Sequence, residues 1–291
     1  MIETNATNSS ETKPLDAAIV EDKYTLHRRF DRMGRLVGDE GMKNLINSHV
    51  MIIGVGGVGS WASEAFARSG VGHVTLVDFD EVCITNANRQ MHALQGMVGR
   101  KKAEVMAERL RKINPQAQID AIVEFYNQEN SERILSQKPD YVIDCIDNIT
   151  AKTHLIATCK KLGIKVLTAG GAGARMDPSF IRVADLSETH SDQFLHQVRK
   201  VLRQEHGFGE GPWGIKTVFS VEEIINPYEL HYDEGKGFKC VCPQGQNNMH
   251  SCDRRPVIWG NASFVTGAFG FQLASIVVQE IVGHQSVMKT K

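Results

Sequence analysis

The stretch His49-Val50-Met51-Ile52-Ile53-Gly54-Val55-Gly56-Gly57-Val58-Gly59-Ser60-Trp61 decides the fold. A short β-prone run enters a Gly-x-Gly-x-x-Gly loop, and helix-forming residues follow from Trp61 to Ser69. Strand, glycine loop and helix in that order are the context a nucleotide-binding fingerprint requires. Gly54 permits the tight turn, and Gly56, with Gly57 beside it, lets a phosphate reach the backbone. Gly59 lets helix and strand pack closely. The helix that follows offers free N–H donors and a partial positive charge to an anion. The next strand, His73–Val77, ends at Asp78, 19 residues past Gly59, where a carboxylate can accept from ribose hydroxyls.

Outward from this loop the pattern alternates. Ala103, Met106, Ala107, Leu110 and Ile113 recur three or four apart and predict a helix over Gly99–Ile113. Gln118–Val123 reads as a strand, Asn127–Ser136 as a helix and Tyr141–Asp144 as a strand. Thr150–Leu162 reads as a helix and Ile164–Thr168 as a strand entering Gly170-Gly171-Ala172-Gly173. Strands alternating with helices predict an α/β fold: a doubly wound, Rossmann-like, mostly parallel sheet. A C-terminal extension follows the strand Phe180–Ala184. It carries a basic helix over Ser191–Glu205, a turn-rich insert over Trp213–Arg255 and a closing apolar helix. The expected division is a mobile tail at 1–23, a nucleotide-binding domain at 24–175 and a substrate-facing, dimer-supporting extension at 176–291.

Composition bounds the function. Of 291 residues, 42% are hydrophobic and 23% charged, which excludes a disordered, collagen-like or multi-span membrane chain. Lys and Arg total 33 against 34 for Asp and Glu, a net charge of −1. Non-specific coating of nucleic acid needs a basic excess, so any nucleic-acid contact here must come from local patches. Six cysteines in a chain this long do not make a disulfide framework, and no apolar leader stands near Met1. A cytoplasmic protein is expected. Pro256–Gln279 carries no formal charge and is long enough to span a bilayer, but it holds Gly260, Asn261, Ser263, Gly267, Gly270 and Gln272. A buried helix is the favoured reading over a membrane span.

Which nucleotide is bound is decided further along. Past Asp78 come Asn86, Arg89 and Gln90, and then Lys101-Lys102. The two phosphates of a dinucleotide are already served by the helix. Extra cations at Arg89 and Lys102 either serve a longer triphosphate or are ordinary surface charge. Asp147, past the strand Tyr141–Asp144, is either a Mg²⁺ ligand beside phosphate oxygens or the cap of the next helix. Asp144 is expected to be structural. Gly170–Gly173 is either a surface for a substrate base or a strand-end turn.

The run from Arg29-Phe30-Asp31-Arg32 through Gly54–Gly59, Asp78–Gln90, Lys102 and Asp144–Asn148 resembles the E1-like, ThiF/MoeB/HesA adenylating family over about residues 26–175. Ala169–Arg175, Cys240-Val241-Cys242-Pro243 and Asn261–Gly267 are similar to its tRNA-modifying branch. The resemblance implies ATP-dependent adenylation of a carboxylate, with Asp78 on the ribose and Asn86, Arg89 and Lys102 around the phosphates. Asp80 and Gln90 complete the nucleotide set, Asp147 holds Mg²⁺, and in a homodimer Arg32 reaches the partner's ATP. In that branch the implied reaction is cyclisation, by dehydration, of N6-threonylcarbamoyladenosine at position 37 of tRNA. A cysteine desulfurase or sulfur-acceptor system is a further implied partner. The alternative is adenylation of the C-terminus of a ubiquitin-like sulfur carrier.

Two departures narrow the choice. The late cysteines run Cys240-x-Cys242 and then Cys252, which does not make the paired spacing of a four-thiolate zinc site. Cys83, Cys145 and Cys159 fall on core elements or beside the nucleotide, where a thiol is ordinarily a small buried hydrophobe. For tRNA, the local cations are Arg199, Lys200 and Arg203, together with Arg254 and Arg255. Phe208, Trp213 and Phe238 are candidates for stacking on bases.

Overall fold

The computed structural model describes residues 25–230 and 257–284. The chain enters through α1 (Asp31–Asn47) and then forms β1 (His49–Ile53), α2 (Gly59–Ser69) and β2 (His73–Val77). It continues through α3 (Lys102–Ile113), β3 (Gln118–Ile122), α4 (Ser131–Leu135), β4 (Tyr141–Asp144), α5 (Ile149–Leu162) and β5 (Lys165–Ala169). β6 (Ile181–Asp185), α6 (Gln193–His206), β7 (Lys216–Ser220) and α7 (Ser263–Val282) complete it.

The seven strands form one sheet in the order β3-β2-β1-β4-β5-β7-β6, all parallel except the edge strand β6. Both faces are covered, and β1 is accordingly apolar from Val50 to Ile53. In β1 the two-residue period sends Val50 and Ile52 to one core and Met51 and Ile53 to the other. α1, α2, α3 and α7 build the first core, and α5, α6 and Trp213 contribute to the second. The chain winds outward from β1 to β3 and then returns to β4 on the other side of β1. The strand order therefore reverses between β1 and β4, and ligands of such sheets bind beyond the strand ends at that reversal. The glycine loop follows β1, and Asp147 follows β4.

Four expectations change. The span 213–255 is not wholly an irregular insert, because Lys216–Ser220 is β7, hydrogen-bonded between β5 and β6. The helix expected over Gly99–Ile113 starts at Lys102, since Lys101 forms a β-bridge with Glu81. The helix expected over 127–136 shortens to α4, because Asn127 and Asn130 side chains accept backbone N–H groups and hold a turn. α1, which periodicity had not singled out, is broken at Gly38, where φ is +73°.

The apolar closing segment is a core helix, and the membrane reading is set aside. α7 spans 20 residues and is the one helix, among the described residues, long and apolar enough to cross a bilayer. Yet Val265, Phe269, Leu273, Ile276 and Val277 are buried in the first core. Gly270 lets α7 ride directly on α2: a Cβ there would stand 2.6 Å from the Val58 carbonyl oxygen and 2.8 Å from the Ala62 nitrogen. At one end Thr266 packs on Gly57, and at the other the Ile281 carbonyl accepts from Asn44 on α1 at 3.4 Å.

Candidate active site

The loops at the strand ends enclose a cleft of about 1090 Å³. One wall is the glycine loop. Gly54 has φ of +92°, and any Cβ there would stand 2.7 Å from the Cys145 carbonyl oxygen. A Cβ on Gly59 would fall 1.9 Å from the Gly54 oxygen, so the helix start and strand end touch through bare backbone. At Gly56 a Cβ would meet nothing nearer than the Gln90 amide at 3.9 Å; that backbone faces open cleft. The three glycines thus divide their work as the fingerprint requires, and Gly57 lines the same wall against α7.

Asp78 is buried at the end of β2. Its Oδ2 accepts the Val55 N–H at 2.7 Å, and its Oδ1 accepts the Asp80 N–H at 2.9 Å. It therefore ties the second strand to the glycine loop while lining the cleft. Burial pushes its carboxyl above the ordinary carboxylate range, with Lys102 opposing and Asp80 adding to the shift. Lys102, 6% exposed at the start of α3, donates to Asp80 at 2.8 Å. Burial works against its charge, but Asp78 and Asp80 outweigh that and raise the ammonium above the usual lysine range. Lys102 is thus a fixed cation in the cleft and not free surface charge.

The turn after β2 supplies the rest of this wall. Buried Asn86 accepts the Cys83 N–H at 3.1 Å, which closes the turn. Arg89 donates to the Thr85 carbonyl and to Asn88, both at 3.0 Å, and its own carbonyl accepts from Trp61 at 2.9 Å. Gln90 is buried, with its side-chain oxygen 3.1 Å from His92 Nε2. Asn86, Arg89, Gln90, Asp80 and Lys102 all line the cleft.

β4 ends in two carboxylates with different roles. Asp144 is fully buried and paired with fully buried Lys152 at 2.7 Å; Lys152 also donates to Thr168 at 2.8 Å. That is the structural role expected. Asp147 is exposed and lines the cleft. It does not cap α5: Asn148 is the cap and accepts the Ala151 N–H at 3.0 Å. Among the described residues no group of three or more His, Cys, Asp or Glu is arranged to hold a metal. An ion here would need phosphate oxygens as co-ligands, which suits Mg²⁺ with one carboxylate such as Asp147.

The far wall is the loop after β5. Gly171 N–H donates to Asp192 at 2.9 Å, while the other Asp192 oxygen caps α6 through Leu195 N–H at 3.0 Å. Arg175, Trp259 and Asn261 also line this wall, and Asn88 of the nucleotide side donates to the Asn261 carbonyl at 2.9 Å.

Three expected features lie elsewhere. Arg32 is exposed on α1 and does not line the cleft of its own chain. Arg199, Lys200 and Arg203 sit on α6, outside the cleft, where Arg199 donates to Thr189. Trp213 is corrected as a base-stacking residue. It is 7% exposed, lies edge-on to Phe208 and sits beneath the Arg203 guanidinium, 5.4 Å from ring centre to Cζ. Arg254, Arg255, Phe238, Cys240, Cys242 and Cys252 lie outside the described residues. Burial pushes the Cys145 and Cys159 thiols up to about 12, the wrong direction for a nucleophile.

Sequence reading had missed Lys152 and Asp192. A lysine in register with Ile156 and Cys159 on the apolar stripe of α5 was the signal for the first. An aspartate directly before a periodic helix was the signal for the second.

Comparison with known proteins identifies the family. Residues 30–291 match the ThiF family. The tRNA threonylcarbamoyladenosine dehydratase of Haemophilus influenzae is 40% identical over 268 residues, covering 91% of this chain and 97% of its own. That of Escherichia coli is 36% identical over 272 residues, with the same coverage. The crystal structure of the E. coli enzyme in complex with ATP superimposes with a TM-score of 0.75 at 37% identity, covering 88% of this chain and 94% of that one. The chain belongs to the ThiF family, on the branch formed by the tRNA threonylcarbamoyladenosine dehydratases.

Proposed function

We propose that the chain catalyses the ATP-dependent dehydration of N6-threonylcarbamoyladenosine at position 37 of tRNA. The observation that carries this reading is a single cleft with two unlike walls. One is a glycine loop with fixed cations for a nucleotide; the other is a glycine-rich loop with buried Arg175 for a substrate. The relatives named above supply the reaction class.

The chemical obstacle is attack by a carboxylate on an α-phosphorus that carries like charge. The glycine loop and the N-terminus of α2 present N–H groups to the phosphates. Lys102 and Arg89 stand on the same side and offset charge building on the pyrophosphate as it leaves. Such preorganised electrostatics is the dominant form of catalysis for this kind of transfer. Mg²⁺, held through Asp147, would supply further neutralisation of the phosphate oxygens. The substrate carboxylate oxygen bonds to phosphorus and pyrophosphate departs. A nitrogen of the neighbouring carbamoyl group then bonds to the activated carbonyl carbon and loses its proton, and AMP leaves with the former carboxylate oxygen. That ring closure is intramolecular and has a high effective molarity, so the chemistry asks for no protein thiol.

The same reading takes the protein as a cytoplasmic homodimer in which Arg32 serves the partner's nucleotide; its exposure on α1, away from its own cleft, supports this. Residues 24–175 act mainly as the nucleotide half, with the loop 170–175 at their end turned to the substrate, and 176–291 as the tRNA half, with α6 offering Arg199, Lys200 and Arg203. No sulfur-transfer step enters, so a cysteine desulfurase would be a companion and not a reactant.

The test is incubation of the purified protein with ATP, Mg²⁺ and tRNA bearing threonylcarbamoyladenosine, followed by mass spectrometry of the nucleosides. One cyclic nucleoside, one AMP and one pyrophosphate should appear per turnover. Pyrophosphate exchange driven by a small sulfur-carrier protein, with no effect of tRNA, would overturn the proposal.

A further inference from the structure

We infer that Arg175 and Trp259, which line the same cleft, form the subsite that reads the substrate: the guanidinium takes the carboxylate to be activated, and the indole stacks the base that bears it. This rests on the tRNA reading above. Arg175 is 4% exposed yet lines the cleft. Its Nε has no hydrogen-bond partner among the described residues. Its two remaining nitrogens make only long contacts, Nη1 to the Gly173 carbonyl at 3.4 Å and Nη2 to the Ser220 carbonyl at 3.3 Å. The carboxylate paired with it, Asp192, is 4.0 Å away, and both of its oxygens already accept backbone N–H groups. A guanidinium carries five donors, and a buried cation without a close counter-charge is costly. An anion entering the cleft would complete it.

The backbone holds Arg175 in place before any ligand arrives. Ala174 adopts φ of +60°, a strained conformation for alanine. It is kept there by its own N–H to the Gly260 carbonyl at 2.8 Å and by the Ile225 N–H to its carbonyl at 2.9 Å. Non-glycine residues held in this region concentrate at sites where a side chain must be aimed.

The planar fork of arginine matches a carboxylate in two-point fashion. A backbone phosphate of tRNA could not reach a side chain this enclosed, whereas a carboxylate on the flexible arm of a modified base could. Trp259 is 41% exposed, an unusual state for a tryptophan, and stands on the same wall. Its Cβ lies 3.6 Å from where a Cβ on Gly173 would be, so the glycine leaves room for the two loops to close together. A half-open indole at the mouth of a nucleic-acid cleft is a stacking platform.

The experiment compares tRNA bearing the free acid of threonylcarbamoyladenosine with the same tRNA carrying its methyl ester, by affinity for the full chain with a non-hydrolysable ATP analogue present. The wild-type protein should prefer the acid by roughly tenfold or more, as expected for a charge-assisted pair. Arg175→Gln should bring that ratio close to one with ATP affinity unchanged, and Arg175→Lys should restore part of it. Trp259→Ala should weaken both tRNAs together by roughly tenfold and leave the ratio intact. A wild-type ratio in Arg175→Gln overturns the assignment. So does a lost ratio in Arg175→Gln accompanied by a comparable loss of ATP affinity, because that marks a structural role. If the wild-type protein forms no cyclic nucleoside, the proposed reaction fails; if it cyclises and the ratio survives Arg175→Gln, only this subsite does.

Discussion

Replacing Lys152 with methionine tests whether the buried ion pair at the end of β4 is built as described. Lys152 and Asp144 are both fully buried and 2.7 Å apart. Lys152 also reaches Thr168 at 2.8 Å and the Asp144 carbonyl at 3.4 Å. Methionine fills much of the same volume, so the loss is electrostatic and not a cavity. Asp144 keeps only the Thr168 hydroxyl at 2.7 Å and the Ile146 N–H at 3.1 Å. Removing one partner of such a pair costs about 3–5 kcal/mol, because the other charge stays buried and uncompensated. At about 2–4 °C per kcal/mol for a domain of this size, Tm should fall by roughly 6–20 °C. Urea denaturation followed by circular dichroism measures it directly. Lys152→Met with Asp144→Asn should regain most of the loss, since removing both charges of a buried pair is often close to neutral. A single variant within about 1 kcal/mol of wild type, or a double variant no better than the single, would refute the reasoning.

Other outcomes follow from the same geometry. Lys102→Gln should lower tRNA-dependent AMP release by roughly 10²–10³, as loss of a positioned charge-stabilising donor does, and a loss under tenfold would remove Lys102 from the chemistry. His49 is stacked on His73 at 3.5 Å, and burial first, then His73, pushes its pKa down to about 4 from 6.5. The neutral ring therefore stabilises the fold fully above pH 6.5, and that contribution is lost as pH falls toward 4. The loss is roughly 3 kcal/mol, visible as a pH-dependent unfolding midpoint that His49→Gln should flatten. tRNA affinity should fall with salt at a log–log slope of roughly −3 if about four phosphates are contacted, and Lys200→Ala should make it shallower by about one. A flat salt response would remove α6 from the tRNA surface.

The geometry of the glycine-loop wall was legible because its residues are placed by their local order. Gly54, Gly56 and Gly59 have their roles fixed by a strand before and a helix after, and Asp78 sits where a strand must end. The far wall was legible only in part: Gly170–Gly173 stood out as a candidate substrate surface, but which side chains meet there is decided through the sheet. Arg175, Asp192 and Trp259 are brought together by β5, α6 and the start of α7, and no spacing announces that. β7 was lost to its neighbourhood: five residues between a glycine-rich turn and a polar run do not declare themselves until β5 and β6 are on either side. Trp213 was misread because an aromatic near arginines has the same sequence signature whether it is open to a base or closed beneath Arg203.

α7 has a consequence for the site as well as for packing. At about 1.5 Å per residue its 20 residues make a rod of roughly 30 Å. Thr266 at its head rests on the glycine loop, and Ile281 at its tail accepts from Asn44, on the part of α1 that follows the break at Gly38. Gly270 seats its middle directly on α2. A shift of the glycine loop would therefore press directly on Thr266 and the start of α7. In the homodimer proposed above, the glycine loop of one subunit and the helix region that follows Arg32 would thus bear on the same rod, α7.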